Sequence, residues 1–444
     1  MNIFSVHVLS VIVFFGTSMS VFSQTTIDFL TKGKEFLSEG KPSEAIVLFE
    51  QYVDENFENP EGYYQIGIAA IQLQAYKKAA ISFGQAIVLG KNTKEVYFNR
   101  AYAYTLNHDF LKAIRDYDKV LLMDTQNPEA YFYRGTLKSN INKEKAAILD
   151  FDEAIKLDPK NQEYYYERGL IHSILGEDDL AKNDFKKSVE IKPNDYVYYK
   201  IGALEMKYGR DEQAIAYYTK AIELNNKEVK YYDMRAFSLM RLGQFKEAIA
   251  DLDIAETKDK YDVDLFMERG LAYMSLGKYE NALKNFNRAI ELAPNGDKHY
   301  YHRARVYFSI GNYDLTISDL KKVLELNPKH LDATLYMGDA YYELKKYADA
   351  ITWYSNYITN AKSEQAYSIY HKRGDAYFAN QQYERALIDY NLALQLKPDL
   401  GIVYNMRAQV RFQLNQQIDA CSDLTAAKQN GYSQGYHLLK KNCE

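Results

Sequence analysis

Apolar residues recur along the chain at spacings of three, four and seven, the pattern of helices that each bury one stripe. That pattern itself repeats. The alanine at Ala45 returns at Ala79, Ala113, Ala147, Ala181, Ala214, Ala248, Ala282, Ala350, Ala386 and Ala420, with Thr316 in one place, in steps of 33, 34 or 36 residues. Twelve residues before each stands a Gly or Ala: Gly33, Gly67, Ala101, Gly135, Gly169, Gly202, Ala236, Gly270, Ala304, Gly338, Gly374 and Ala408. Four residues earlier comes an aromatic, as in Tyr63, Tyr97, Tyr131 and Phe266, with Thr334 the exception. Four residues after the alanine comes Phe, Tyr or Leu, as in Phe83, Phe151, Phe185 and Phe286. Each period therefore predicts two helices. A small residue on each lets the two backbones approach, and large rings fill the remaining gaps.

The helix breakers obey the same phase. Pro159, Pro193, Pro294, Pro328 and Pro398 fall just after the second helix of a period, and Pro60 and Pro128 at or near the start of a first helix. Pro42 falls in the turn between two helices. None interrupts a helix interior, where it would cost about 3 kcal/mol. Gly176, Gly243 and Gly311 are placed to end first helices. In this order of aromatic, Gly/Ala, Ala, Phe/Tyr/Leu and Pro, residues 26 to 430 resemble the tetratricopeptide repeat family. The resemblance implies an all-α fold: about twelve helix-turn-helix repeats, starting near 26, 60, 94, 128, 162, 195, 229, 263, 297, 331, 367 and 401, stacked in a right-handed superhelical solenoid. The array would occupy residues 24–430, and residues 431–444 would close its last apolar face.

A second pair of columns runs through the repeats. Arg100, Arg134, Arg168, Arg235, Arg269, Arg303, Arg373 and Arg407 each precede the Gly/Ala. Sixteen residues later stand Asp116, Asp150, Asp184, Asp251, Asp319, Asp389 and Asp423, with Asn285 after Arg269. Where the Arg is absent (Lys32, Ile66, Ile201 and Met337) the Asp is absent too, replaced by Leu48, Ser82, Tyr217 and Trp353. Columns that switch together predict a bridge between the two helices of one repeat, not a basic row for an anionic ligand.

Composition narrows the function. The chain has 42 Tyr and a formal net charge of −5 with no long run of one sign, which argues against nucleic acid held through its phosphates. Residues 1–23 carry no Lys, Arg, Asp or Glu, have an apolar centre from Val8 to Phe15, and end in Val21 and Ser23, small enough for a cleavage site. They read as a signal peptide, although the basic start is missing, and predict an exported protein, periplasmic or secreted, with no spanning segment after cleavage. In that setting Cys421 and Cys443 are candidates for a disulfide. His299 and His302 are three apart, but nothing completes a metal site around them, so they read as solvated histidines. No phosphate loop, nucleophile elbow or zinc-protease motif occurs, so no cofactor, metal or catalytic residue is expected and the chain reads as no enzyme.

The resemblance places a partner-binding groove on the inward face of the first helices. The residues it puts there are Tyr64, Phe98, Tyr102, Phe132, Tyr166, Tyr199, Met206, Phe237, Met240, Met267, Met274, Tyr301, Phe308 and Tyr342. A wall of aromatics and methionines suits a peptide or helical segment of a protein partner. The family's clamp for a C-terminal carboxylate needs Lys and Asn at inward positions of one repeat. Pairs such as Tyr64/Ile68 and Phe98/Tyr102 stand in its place, so that activity is not expected. The function read here is a protein-interaction scaffold, with assistance in assembling an envelope or secretion complex as its expected setting. The alternative is a carbohydrate- or cell-wall-binding accessory of an envelope enzyme, because aromatic walls also stack on sugars.

Overall fold

A computed structural model describes residues 19–360, 366–432 and 443, with side chains from residue 29 onward. Most of the expected signal peptide and of the closing segment 431–444 lies outside the described residues. All regular structure among them is helical. The chain forms two compact units, residues 1–208 and 209–444.

In the first unit the helices are α1 (Met19–Ser38), α2 (Pro42–Glu55), α3 (Pro60–Gln72), α4 (Tyr76–Val88), α5 (Lys94–Leu106), α6 (Phe110–Met123), α7 (Pro128–Asn140), α8 (Glu144–Leu157), α9 (Gln162–Ile174), α10 (Asp178–Ile191) and α11 (Asp195–Lys207). The second holds α12 (Asp211–Leu224), α13 (Val229–Arg241), α14 (Phe245–Lys258), α15 (Val263–Ser275), α16 (Tyr279–Leu292), α17 (Asp297–Ser309), α18 (Tyr313–Leu326), α19 (Leu331–Glu343) and α20 (Tyr347–Asn360). It continues with α21 (Tyr367–Ala379), α22 (Tyr383–Leu396), α23 (Gly401–Gln413) and α24 (Gln417–Gln429). Within each unit every helix packs on the one before it and the one after it, as a stack of helical hairpins requires.

Local chemistry sets the ends. Pro42, Pro60 and Pro128 occupy first-turn positions, where no amide proton is missed. The side chains of Asn59, Asn127, Asn161, Asn194 and Asp262 accept the free amides at the start of first helices. First helices stop at a left-handed residue, such as Gly176 at φ 76° and Gly311 at φ 77°. Gln74, Asn142, Lys345 and Gln381 adopt the same conformation, without the freedom glycine has there.

The repeating alanine is fully buried at each of its eleven positions. Thr316 fits the twelfth because its hydroxyl donates to the Asn312 carbonyl at 2.9 Å. The Gly column has a direct cause. A Cβ on Gly270 would lie 2.6 Å from the Phe286 ring, and one on Gly374 would lie 2.6 Å from the Tyr390 ring. Where the column is Ala236, Ala304 or Ala408, the facing residue is the smaller Leu252, Leu320 or Leu424. Size is conserved across these hairpins even though neither residue is, whereas Ala101 faces a large ring, Tyr117.

The eight expected arginine bridges all form. Arg303 donates through Nε and Nη2 to both oxygens of Asp319, at 2.8 and 2.7 Å, and Arg373 does the same to Asp389 at 2.7 and 2.8 Å. The aspartates are buried, from 1% exposed for Asp389 to 6% for Asp184. Arg269, facing Asn285, meets its charge elsewhere: Nη1 lies 2.7 Å from Asp253 and 2.6 Å from Glu256. The remaining nitrogen reaches the preceding repeat in six of the other seven copies, Arg373 by donating to Ser355. Arg134 donates to Asp118, Arg168 to Asp152, Arg235 to Thr219, Arg303 to Asn287 and Arg407 to Asn391. Sequence reading found the first half of this bridge and missed the second. Its signal, in all of these but Arg373, is an acid, amide or hydroxyl sixteen residues before the arginine.

Candidate functional site

In the first unit the inward residues of α3, α5, α7 and α9 are only half exposed, because each ring also leans on a neighbour. Tyr64 sits 5.7 Å from Phe83, and Phe98 sits 5.4 Å from Tyr117 and 5.8 Å from Tyr133. Tyr102 lies 6.0 Å from Tyr133, and Phe132 lies 5.0 Å from Tyr164. Tyr199 stacks on Tyr196 at 5.9 Å, and Met206 follows on the same helix, half-buried. A cavity of about 400 Å³ opens between Phe132, Glu163, Tyr166, Glu167, Lys192 and Tyr196. Burial pushes the Tyr166 hydroxyl up to about 12 and raises the Glu167 carboxyl.

In the second unit Phe237 is 39% exposed, and Met240 and Met274 are half-buried. Met267 departs from expectation. It is 8% exposed and packs in the core with Leu265, Phe266 and Phe286, so it presents no surface to a partner. Tyr301 lies 4.6 Å from His330 and 5.9 Å from Tyr336. The expectation of solvated histidines also fails, because His302 stacks on Phe286 at 6.0 Å and burial drives it down to about 4. Among the described residues no cluster of His, Cys, Asp or Glu could hold a metal ion.

Two cavities adjoin on the first helices α15, α17, α19 and α21. One, about 530 Å³, is lined by Met274, Ser275, Tyr279, Arg305, Phe308, Ser309, Tyr336 and Asp339. The other, about 280 Å³, is lined by Phe308, Asp339, Tyr342, Glu343, Tyr354, Lys372 and Asp375. Phe308 and Asp339 belong to both, so the two form one trough. Of the sequence-predicted residues, the trough brings together Met274, Phe308 and Tyr342.

Its polar floor was not foreseen. Lys372 donates to both Asp339 oxygens at 2.8 and 2.6 Å, and the Tyr354 hydroxyl donates to Asp339 at 2.7 Å. The Tyr390 hydroxyl holds Asp375 at 2.7 Å, and His371 lies 3.5 Å from its other oxygen. Burial nonetheless raises the Asp375 carboxyl, outweighing the opposing pull of His371, Tyr390 and Lys372. A signal for this floor existed. Tyr354 and Tyr390 stand where most repeats carry Phe or Leu, and a buried hydroxyl requires a partner. Fifteen residues before each is an aspartate.

Two more inward acids lie on α13 and α15. Burial, with Asp262 nearby, pushes Asp233 up to about 6. Burial, with Asp233, Asp264 and Asp262 nearby, pushes Glu268 up to about 7.

Tetratricopeptide repeat models match residues 30–94 and 234–297, residues 367–400, and residues 128–161, 162–195 and 196–228, together more than half of the chain. The chain belongs to the tetratricopeptide repeat family. A model of anaphase-promoting complex, cyclosome, subunit 3 matches residues 275–357 of this tetratricopeptide chain. No curated protein matches it.

Solved structures resemble parts or most of it. A tetratricopeptide repeat protein from Parabacteroides merdae is 20% identical over 56% of this chain and 99% of its own, with a TM-score of 0.43. YrrB, described as a TPR protein with an unusual peptide-binding site, is 23% identical over 41% of this chain and 95% of its own, with a TM-score of 0.39. A chain of the APC/C hetero-tetramer Cut9–Hcn1 is 14% identical over 96% and 99%, with a TM-score of 0.42.

At the end of the tetratricopeptide array the structure joins Cys421 on α24 to Cys443, with Cα atoms 5.7 Å apart. Among the described residues no helix is long and apolar enough to cross a membrane.

Proposed function

We propose that this chain is a non-catalytic scaffold that holds an extended peptide or helical segment of a partner protein in the trough of its second unit. Tetratricopeptide repeats supply a protein-interaction framework, and the observation that carries the site is the pair of adjoining cavities sharing Phe308 and Asp339. Phe308 and Tyr342 form apolar walls, while Asp339, Asp375 and Lys372 are already fixed by hydrogen bonds. A guest would therefore meet a pre-organised surface and lose less entropy in docking. The charge-free start of the chain and its apolar centre support export, and with it a role in assembling an envelope or secretion complex.

Photo-crosslinking in cells from positions 308 and 342 tests the site. Recovery of one partner from both positions, lost when Phe308→Ala and Tyr342→Ala are combined, is the expected result. Labelling of the chain alone, or of the same proteins from an exposed second-helix position such as 284, removes the proposal. N-terminal sequencing of the protein from cells tests export, and an uncut Met1 overturns it.

A further inference from the structure

We propose that the cavity between Phe308, Tyr342 and Asp375 takes a basic side chain, lysine or arginine, of the partner peptide; this rests on the trough reading above and names what the trough selects. The cavity is lined by three carboxylates, Asp339, Glu343 and Asp375, against one ammonium, Lys372. Lys372 is already committed to Asp339, which it meets with both oxygens in reach, and the Tyr354 hydroxyl completes that carboxylate. Asp375 and Glu343 are left facing the cavity without a cation of equal standing. His371 is the nearest basic group to Asp375, at 3.5 Å.

The raised Asp375 carboxyl has the same physical meaning. Its ionised form is under-compensated where it lies, and an arriving cation would compensate it. The cavity's aromatic walls, Phe308 and Tyr342, would receive the aliphatic stem and the face of a guanidinium or ammonium. Room is sufficient: about 280 Å³ holds a long side chain and displaces water with it.

The adjoining cavity sets the register. It carries Arg305, which stacks near Tyr301 at 5.9 Å and disfavours a second cation there. A basic residue is thereby directed to the Asp375 side of Phe308, and the next part of the peptide meets Met274, Tyr336 and Arg305. The selection is the reverse of a carboxylate clamp, which the inward residues lack.

The test selects binders from a randomised dodecapeptide library on the purified full chain. The expected result is enrichment of Arg or Lys at one fixed position, with the best peptide losing about tenfold in affinity when that residue becomes Gln. The preference should shrink on Glu343→Gln and on Asp375→Asn. It should survive Glu212→Gln, an exposed change of equal charge on α12 that controls for the chain's overall negative charge. Glu343 is exposed, so its variant remains informative even where Asp375→Asn disturbs folding. Peptides that bind without a fixed basic residue, yet are lost on Phe308→Ala, overturn this assignment and leave the trough reading standing. No enriched peptide, or binding only of chito-oligosaccharides offered in parallel, overturns both.

Discussion

Each arginine of the repeating column does two jobs with one rigid group. In seven of the eight, Nε and Nη2 grip a buried aspartate of the same repeat, as Arg303 grips Asp319, and in most copies Nη1 reaches the preceding one. Arg303 and Asp319 offer the cleanest test, because Lys138 also reaches Asp150 and would partly rescue that aspartate. Arg303→Leu should cost about 3–5 kcal/mol by leaving Asp319 buried and unpaired, and the double change with Asp319→Leu should cost far less. Urea unfolding of the two single variants and the double measures this, and simple additivity of the two costs refutes it. The repeat in which Met337 faces Trp353 already shows the apolar solution in the native chain.

Glu268 supplies a pH signature. An acid whose pKa is raised by folding, here to about 7, keeps its proton in the fold while the unfolded chain has released it. Its contribution is complete below the ordinary glutamate value near pH 4.3 and is lost as pH rises through about 7. Glu268→Gln should therefore raise the melting temperature more at pH 8 than at pH 5, and an equal change at both would refute the linkage. These acids escaped the sequence because desolvation depends on what packs around a carboxyl, and one chain read linearly does not show that. The arginine bridges were legible because their two halves switch together within the chain.

For the helices, the sequence pattern carried nearly everything: where the Gly and Ala columns lie, where proline is tolerated, and which faces meet. What it did not expose is the compensation inside most hairpins. Gly270 faces Phe286, whereas Ala236 faces Leu252. Gly270→Ala should destabilise the chain by about 1–3 kcal/mol through overpacking. Adding Phe286→Leu should return part of that loss, although Phe286→Leu alone destabilises. Thermal unfolding of the three variants decides it, and a double variant as weak as the sum of the singles overturns the pairing. The groove was legible more coarsely. Inward phase alone placed Met267 beside Met274, yet α15 turns Met267 into the core. A column marks an angle on a helix, and burial also depends on the size of the residues stacked on either side.

On the scale of the whole chain, stability in an array of repeats is local, and its ends are its weak points. The Cys421–Cys443 link closes a separation of 22 residues at the C-terminal end. Its reduction should remove about 3 kcal/mol from that end. Hydrogen exchange should then accelerate in α23 and α24 while α13 to α18 stay unchanged. Mass mapping without reductant identifies the bond, and two free thiols in the native protein would refute it.

The arginines that reach backwards give the array a unit of change. Removal of residues 263–296, one full period, would bring Asp253 opposite Arg303 in the place Asn287 now holds, because both stand five residues past the repeating alanine. Every guanidinium would still find an acceptor. A cut within a helix that is not a whole period would orphan one, whereas the two extra residues between Ala350 and Ala386 leave Arg373 still donating to Ser355 at 2.9 Å. The seam between repeats thus acts as a ratchet on the helices: the chain can lose or gain whole periods and keep its bonds, and each helix is held to its register while the length between helices is free to vary.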